Sequence, residues 1–229
     1  MSSIADNLQR VRRRIDRAAL DSGRDPSAIR LIAVSKSFPQ QAVAEAVAAG
    51  QRDFGESYVQ EAIVKIEALA AQRALLQWHF IGPLQSNKAR PVAERFDWVH
   101  SVDRLKIAQR LSELRPAQLP PLQVCIQVNI DGQASKHGVA PADAPALARA
   151  VAGLPRLRLR GLMSIPAPMQ SAAGQREVFG RVAALAAQLR DEGIAVDTLS
   201  MGMSDDLEPA VAAGATMVRV GTAIFGRRW

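Results

Sequence analysis

The chain is expected to fold as a (β/α)8 barrel, and three observations lead there. Eight short apolar stretches of strand character recur at a mean spacing of about 26 residues, each followed by a helical pattern. Strand and helix alternating at that interval require parallel strands joined by crossover helices. The 229 residues also approach the ~250 typical of such barrels. A doubly wound open sheet is the runner-up, but no Gly-x-Gly-x-x-Gly follows the first strand, which argues against a dinucleotide-binding version. No linker, low-complexity segment or strong repeat interrupts the chain, so residues 1–229 are read as one domain.

Taken in order, residues 1–25 form an amphipathic helix expected to pack on the barrel. Ile4, Leu8, Val11 and Ile15 recur at helical spacing and make one apolar stripe. Arg10, Arg12, Arg13, Arg14 and Arg17 lie mostly off it; with Asp6 and Asp16 among them and no aromatic residue, they read as a solvated face rather than a nucleic-acid-binding arm. After Gly23 and Pro26 the pattern alternates, giving strand one over residues 30–35. Pro39 then opens a helix over 40–49 that Gly50 closes. Strand two covers 52–55 and a helix covers 57–73, with Val59, Ile63, Ile66 and Leu69 on one face. Strand three covers 76–81 and leads through Gly82-Pro83 into another helix. The remaining strands cover 98–102, 122–130, 157–165, 196–201 and 216–220.

Composition narrows the class without naming a function. Apolar residues make up 48% and charged residues 22%, an ordinary globular balance, and 29 basic against 22 acidic side chains leave a net charge of +7 that would suit anionic partners in general. The single cysteine, Cys125, lies in an apolar run, so no disulfide framework is available; Cys125 reads as core filler and the cytoplasm as the compartment. The first thirty residues hold no uninterrupted apolar run of the secretory type. No stretch approaches the ~20 apolar residues that span a bilayer, so no membrane association is expected.

A barrel of this kind gathers its chemistry at the C-terminal ends of the strands. Strand one ends there in Ser35-Lys36, which places an amine at the mouth. Strand two ends in Gly55-Glu56-Ser57, strand three carries His79, strand five ends in Asn129 and strand six in Met163-Ser164. The loops after strands seven and eight commonly hold a phosphate. Here Gly202 and Gly221 let the backbone approach closely, while Ser200, Ser204 and Thr222 offer hydroxyls. Asp205 and Glu208, spaced by three before an Ala-rich stretch, read as a helix cap rather than an acid/base pair. His79 is either a ring-facing ligand or a satisfied core histidine. No cluster has metal-ligand spacing, so no metal is expected. A lysine beside a phosphate cradle suggests a Schiff base to a phosphorylated carbonyl compound, either an aldolase-type substrate or pyridoxal phosphate.

Several motifs then resemble one family closely. They are Ala33-Val34-Ser35-Lys36, Phe54-Gly55-Glu56, Tyr58-Val59-Gln60-Glu61, the run from Trp78 to Lys88, Arg160-Gly161-Leu162-Met163, Gly202-Met203-Ser204-Asp205-Asp206 and the run from Met217 to Gly226. Together they span nearly the whole chain and resemble the pyridoxal phosphate homeostasis proteins, relatives of the alanine racemase N-terminal barrel. The resemblance implies pyridoxal 5'-phosphate as cofactor, Lys36 as its internal aldimine, and Ser200, Gly202, Ser204, Gly221 and Thr222 as the phosphate region. It sets Arg219 against the pyridine nitrogen, where a permanent cation disfavours ring protonation and weakens the ring as an electron sink. Ser57, His79 and Met163 complete the candidates. Ser57 stands where the family commonly carries asparagine; serine is shorter and lacks the amide donors, so somewhat weaker binding is expected.

A racemase of this fold would need a second base, a tyrosine supplied through an additional β-domain. Tyr58 is the only tyrosine and lies on the wrong segment. The resemblance therefore implies a cofactor-binding protein of vitamin B6 balance without robust catalysis, with a weakly active amino-acid racemase as the alternative. Expected partners are pyridoxal phosphate and the apo-enzymes that receive it; a monomer is expected, and nucleic acid is not.

Overall fold

The computed structural model describes residues 3–133, 136–169 and 171–226. Eight parallel strands close into a barrel in chain order: β1 (Arg30–Val34), β2 (Asp53–Glu56), β3 (Gln77–Phe80), β4 (Trp98–Val102), β5 (Leu122–Gln127), β6 (Leu157–Met163), β7 (Thr198–Ser200) and β8 (Met217–Val220). Helix α1 (Ile4–Asp21) precedes them. The crossovers carry α2 (Gln40–Ala48), α3 (Val59–Ala68), α4 (Ala89–Arg95), α5 (Leu105–Leu114), α6 (Ala144–Ala152), α7 (Ala172–Asp191) and α8 (Leu207–Ala212), and α9 (Thr222–Phe225) follows β8. This is the (β/α)8 barrel that the strand spacing predicts.

Several boundaries differ from the sequence reading, each for a local reason. Strand β2 runs one residue further than 52–55 and takes in Glu56, whose carbonyl accepts from Ile81 N–H. The helix expected over 57–73 stops at Ala68, and Ala70–Leu75 forms a 3-10 turn instead; none of its residues is buried, so no packing holds it in α geometry. Strand β5 ends at Gln127 rather than 130 because Val139 folds back to donate to the Gln127 carbonyl. Strand β6 stops at Met163, ahead of Pro166, and β7 is confined to three residues.

Alternation divides the apolar residues between two places. Leu31 and Ala33 of β1, Phe54 of β2, and Trp78 and Phe80 of β3 join the main core between sheet and helices. A separate small cluster, Ile32, Trp98, Cys125, Met163 and Met217, takes the alternate positions and fills the barrel interior. Cys125 is fully buried there and its thiol is pushed up to about 12 by burial. It is core filler.

Helix α1 begins with a Ser3/Asp6 capping box and buries Leu8, Val11, Ile15, Ala18 and Ala19. Its arginines do more than solvate a face. Arg12 donates to the Ala49 carbonyl, and Arg14 makes a two-nitrogen pair with Glu208 while also donating to the Ser204 carbonyl at 3.0 Å. Residues read as solvated thus tie the helix to α2 and to the loop after β7. Among the described residues, no helix is long and apolar enough to cross a membrane.

Closure on the β6–β7 side hangs on one glycine. Gly161 has φ +157, and a Cβ there would lie 1.8 Å from the Thr198 carbonyl oxygen. Gly161→Ala is therefore expected to destabilise the barrel by more than about 4 kcal/mol or to prevent folding, read as loss of a cooperative melting transition.

Candidate functional site

The end of β1 is held by a buried charged cluster. Ser35 donates its N–H to the Gly55 carbonyl at 3.0 Å and its hydroxyl to Glu56 Oε1 at 2.6 Å. Its carbonyl accepts from Lys65 Nζ at 2.7 Å. Lys65, on α3, is itself buried and also pairs with Glu56 at 2.7 Å and with Glu61 one turn earlier. Burial pushes the Glu56 carboxyl up, against the pull of Lys65 and Ser35. Half-buried Lys36 then follows in a turn, and Ser37 adopts φ +66, a left-handed conformation costing an L-residue about 1 kcal/mol or more. The Ser37 N–H donates to Glu61 Oε1 at 2.6 Å.

Beneath the mouth a chain of hydrogen bonds runs through the barrel interior. Asp53 accepts from Arg30 and from His79 Nε2 at 3.0 Å. His79 Nδ1 meets His100 Nε2 at 2.9 Å, and His100 Nδ1 meets the Ser200 hydroxyl at 2.8 Å. Ser200 accepts from Arg219 at 2.7 Å, whose other terminal nitrogen donates to the Ser164 carbonyl at 2.8 Å. One proton arrangement satisfies every link. With Asp53 ionised and both imidazoles neutral, His79 donates to Asp53, His100 donates to His79, and Ser200 donates to His100. Burial is the largest influence on all three groups. It raises Asp53, but the hydrogen bond from His79 and the charge and hydrogen bond of Arg30 outweigh it and leave Asp53 lowered; it lowers His79, and lowers His100 well below 6.5. It also brings the Arg219 guanidinium down to about 10, still charged at neutral pH.

The loops after β7 and β8 are drawn in tightly. Gly202 has φ +91, and a Cβ there would lie 2.5 Å from Ala210 Cβ; a Cβ on Gly221 would lie 3.2 Å from the Val34 carbonyl oxygen. Register pairs Arg219 with Ile32 and Val220 with Ala33, so the loop after β8 stands beside the Lys36 turn. Ser204 Oγ accepts from Ala223 N–H at 3.4 Å, and Thr222 is the first residue of α9. The expected Asp205/Glu208 cap does not form. Helix α8 starts only at Leu207, Asp206 accepts from Met203 N–H, and Glu208 is taken by Arg14.

Of the predicted site residues, Lys36, Gly202, Ser204, Gly221 and Thr222 lie in the loops at the mouth. Ser200 and Arg219 lie in the interior, where the Ser200 hydroxyl is engaged by His100 and Arg219 rather than by the loop. His79 is a satisfied interior histidine and Met163 is part of the inner apolar cluster. Half-buried Ser57 packs against the loop after β3, since a Cβ on Gly82 would lie 2.4 Å from its carbonyl oxygen. Sequence reasoning missed His100, Asp53 and Lys65. Strand alternation from Trp98 was a signal for His100, and the Glu61/Lys65 spacing of four was one for Lys65; Asp53, on a different strand from His79, had none. A groove of about 230 Å³ lined by Ile81, Pro83, Gln127, Lys136, His137 and Ile165 opens at the mouth. A larger one, about 760 Å³, lies at the opposite end; its Arg149–Glu192 and Arg160–Asp197 pairs are already satisfied, and it is remote from the strand ends that carry the amine.

A family model described as alanine racemase, N-terminal domain, matches residues 1–228. A protein named pyridoxal phosphate homeostasis protein from Pseudomonas aeruginosa is 61% identical over 228 residues, covering 100% of this chain and 97% of its own length. A protein of the same name from Escherichia coli K12 is 57% identical, covering 100% of this chain and 98% of its own. The structure of PipY from Synechococcus elongatus with pyridoxal phosphate bound superposes with a TM-score of 0.85 at 40% identity, covering 98% of this chain and 100% of that one.

The neutral imidazoles set a pH dependence. Unfolded histidines take up protons below about 6.5 while His79 and His100 resist, so the unfolded state binds more protons and stability falls on acidification. The slope should reach about 1.4 kcal/mol per pH unit for each histidine kept neutral. Denaturant melts between pH 7 and 5 should show it, and His100→Gln should flatten it.

Proposed function

The chain belongs to the alanine racemase N-terminal domain family, and on that footing we propose that it binds pyridoxal 5'-phosphate through Lys36 and serves vitamin B6 balance. The observation that carries this reading is the juxtaposition at the mouth: the Lys36 turn beside the loop after β8, with Arg219 buried four residues below in register.

The residues present fit that group. Two glycines, Gly202 and Gly221, stand where a side chain would collide with Ala210 or press on β1, which suits a backbone cradle for a phosphate. Ser164 Oγ is fully buried under the mouth without a hydrogen-bond partner, a polar atom that a ring substituent could engage. When bound, pyridoxal phosphate supplies an aldehyde for a primary amine and a ring that withdraws electrons. Lys36 is the amine, and Gly202, Ser204, Gly221 and Thr222 hold the phosphate.

Arg219 would face the ring nitrogen, and its guanidinium, held by Ser200 and the Ser164 carbonyl, would keep a positive charge there that opposes protonation. Tyr58, the only tyrosine, is 57% exposed at the start of α3. That supports a holding role over racemisation, which needs a base on the far face of the cofactor. Apo-enzymes are the receivers in this reading, the chain acts as a monomer, and the lone buried Cys125 supports a cytoplasmic setting.

The test is spectroscopic. Purified protein should be yellow or become so on adding pyridoxal phosphate, and Lys36→Ala should lose the visible band; a wild type that takes up none refutes the proposal. Incubation with L-alanine, followed by chiral chromatography, should show no Lys36-dependent conversion, whereas clear conversion would favour the weak racemase.

A further inference from the structure

Three charged side chains around the end of β1 have no part in the reading above. Lys65 and Glu56 are buried, and Glu61 is only 30% exposed. Burying such a group is costly, and packed apolar residues would serve stability at least as well. What distinguishes the cluster is where its spare hydrogen bonds go. Lys65 Nζ holds the Ser35 carbonyl at 2.7 Å, Glu56 Oε1 holds the Ser35 hydroxyl at 2.6 Å, and Glu61 Oε1 holds the Ser37 N–H at 2.6 Å. The residues on both sides of Lys36 are pinned, and both pins meet at Lys65. Ser37, kept at φ +66, shows that the turn is held in a conformation that serine does not favour.

We propose that Lys65, Glu61 and Glu56 are positioning residues for Lys36, a clamp that fixes the direction in which its amine leaves the barrel wall. The inference rests on the reading of Lys36 as the amine that meets the aldehyde. Its physical content is preorganisation: a turn already fixed loses little freedom when the side chain is engaged, and a small displacement of the amine lowers productive contact steeply.

The clamp acts on the aldehyde contact and not on the phosphate loops, which belong to β7 and β8. Pyridoxal phosphate and pyridoxine phosphate, which carries an alcohol in place of the aldehyde, therefore separate the two. Wild type should prefer the aldehyde, with Lys36→Ala setting the floor of that preference. Glu61→Ala removes a partly exposed side chain and should keep a melting temperature near wild type. Its preference for the aldehyde should fall by about tenfold or more, with pyridoxine phosphate affinity unchanged. Lys65→Met should lower the preference at least as far wherever its melting remains cooperative.

A Glu61→Ala protein that keeps the wild-type preference, or loses affinity for both ligands alike, overturns the clamp. A wild type with no more preference than Lys36→Ala overturns the Lys36 reading itself, and the clamp with it.

Discussion

Four register pairs join β1 to β8, from Arg30 against Met217 to Ala33 against Val220, and they bring Gly221 alongside Val34, two residues before Lys36. Every functional contact at the mouth depends on that closure. An open sheet with the same eight strands would leave β1 and β8 unpaired at opposite edges. The lysine would then have no glycine loop beside it and the arginine no neighbour across the barrel. Gly221 lets the two ends approach, because its missing side chain leaves room for the Val34 carbonyl. Helix α1 reinforces the same seam, reaching α2 through Arg12, the loop after β7 through Arg14 and α9 through Asn7.

Closing the barrel creates a second constraint, since its interior holds a polar chain beside the apolar cluster. A half-satisfied set of buried histidines and carboxylates would cost more than an apolar filling. Here the chain from Arg30 through Asp53, His79, His100 and Ser200 to Arg219 is satisfied at every link by one arrangement of protons. Its polarity runs from an anion at the base of the barrel to a cation beneath the mouth. The guanidinium of Arg219 is therefore oriented by Ser200, the last link of a chain that acid would disturb at its histidines.

The architecture was legible in the sequence because strand spacing and crossover helices follow from local patterns. The mouth residues Lys36, Gly202 and Gly221 were legible for a related reason: a barrel rule assigns chemistry to strand ends, and those ends can be read locally. His79 was ambiguous because a single strand does not say what stands opposite. The structure places His100 and Asp53 there, from strands on either side. Asp205 and Glu208 were misread because capping spacing is also met by chance; a long-range partner, Arg14, takes Glu208 and leaves Asp206 to brace the turn. Lys65 was hidden by its type, since a lysine on a helix is ordinarily solvated.

The sequence by itself determined the repeating strand–helix order, the end of β1 that carries an amine, and the two loops able to approach an anion. These depend on periodicity, chain direction and the freedom of glycine, all of which act over a few residues. Only the tertiary structure decided which charges neutralise which. The Lys65–Glu56–Glu61 cluster, the two-histidine chain and the seating of Arg219 each join residues from separate elements. Their protonation and direction depend on burial and on distances of a few ångströms, which chain closure sets and no local pattern encodes.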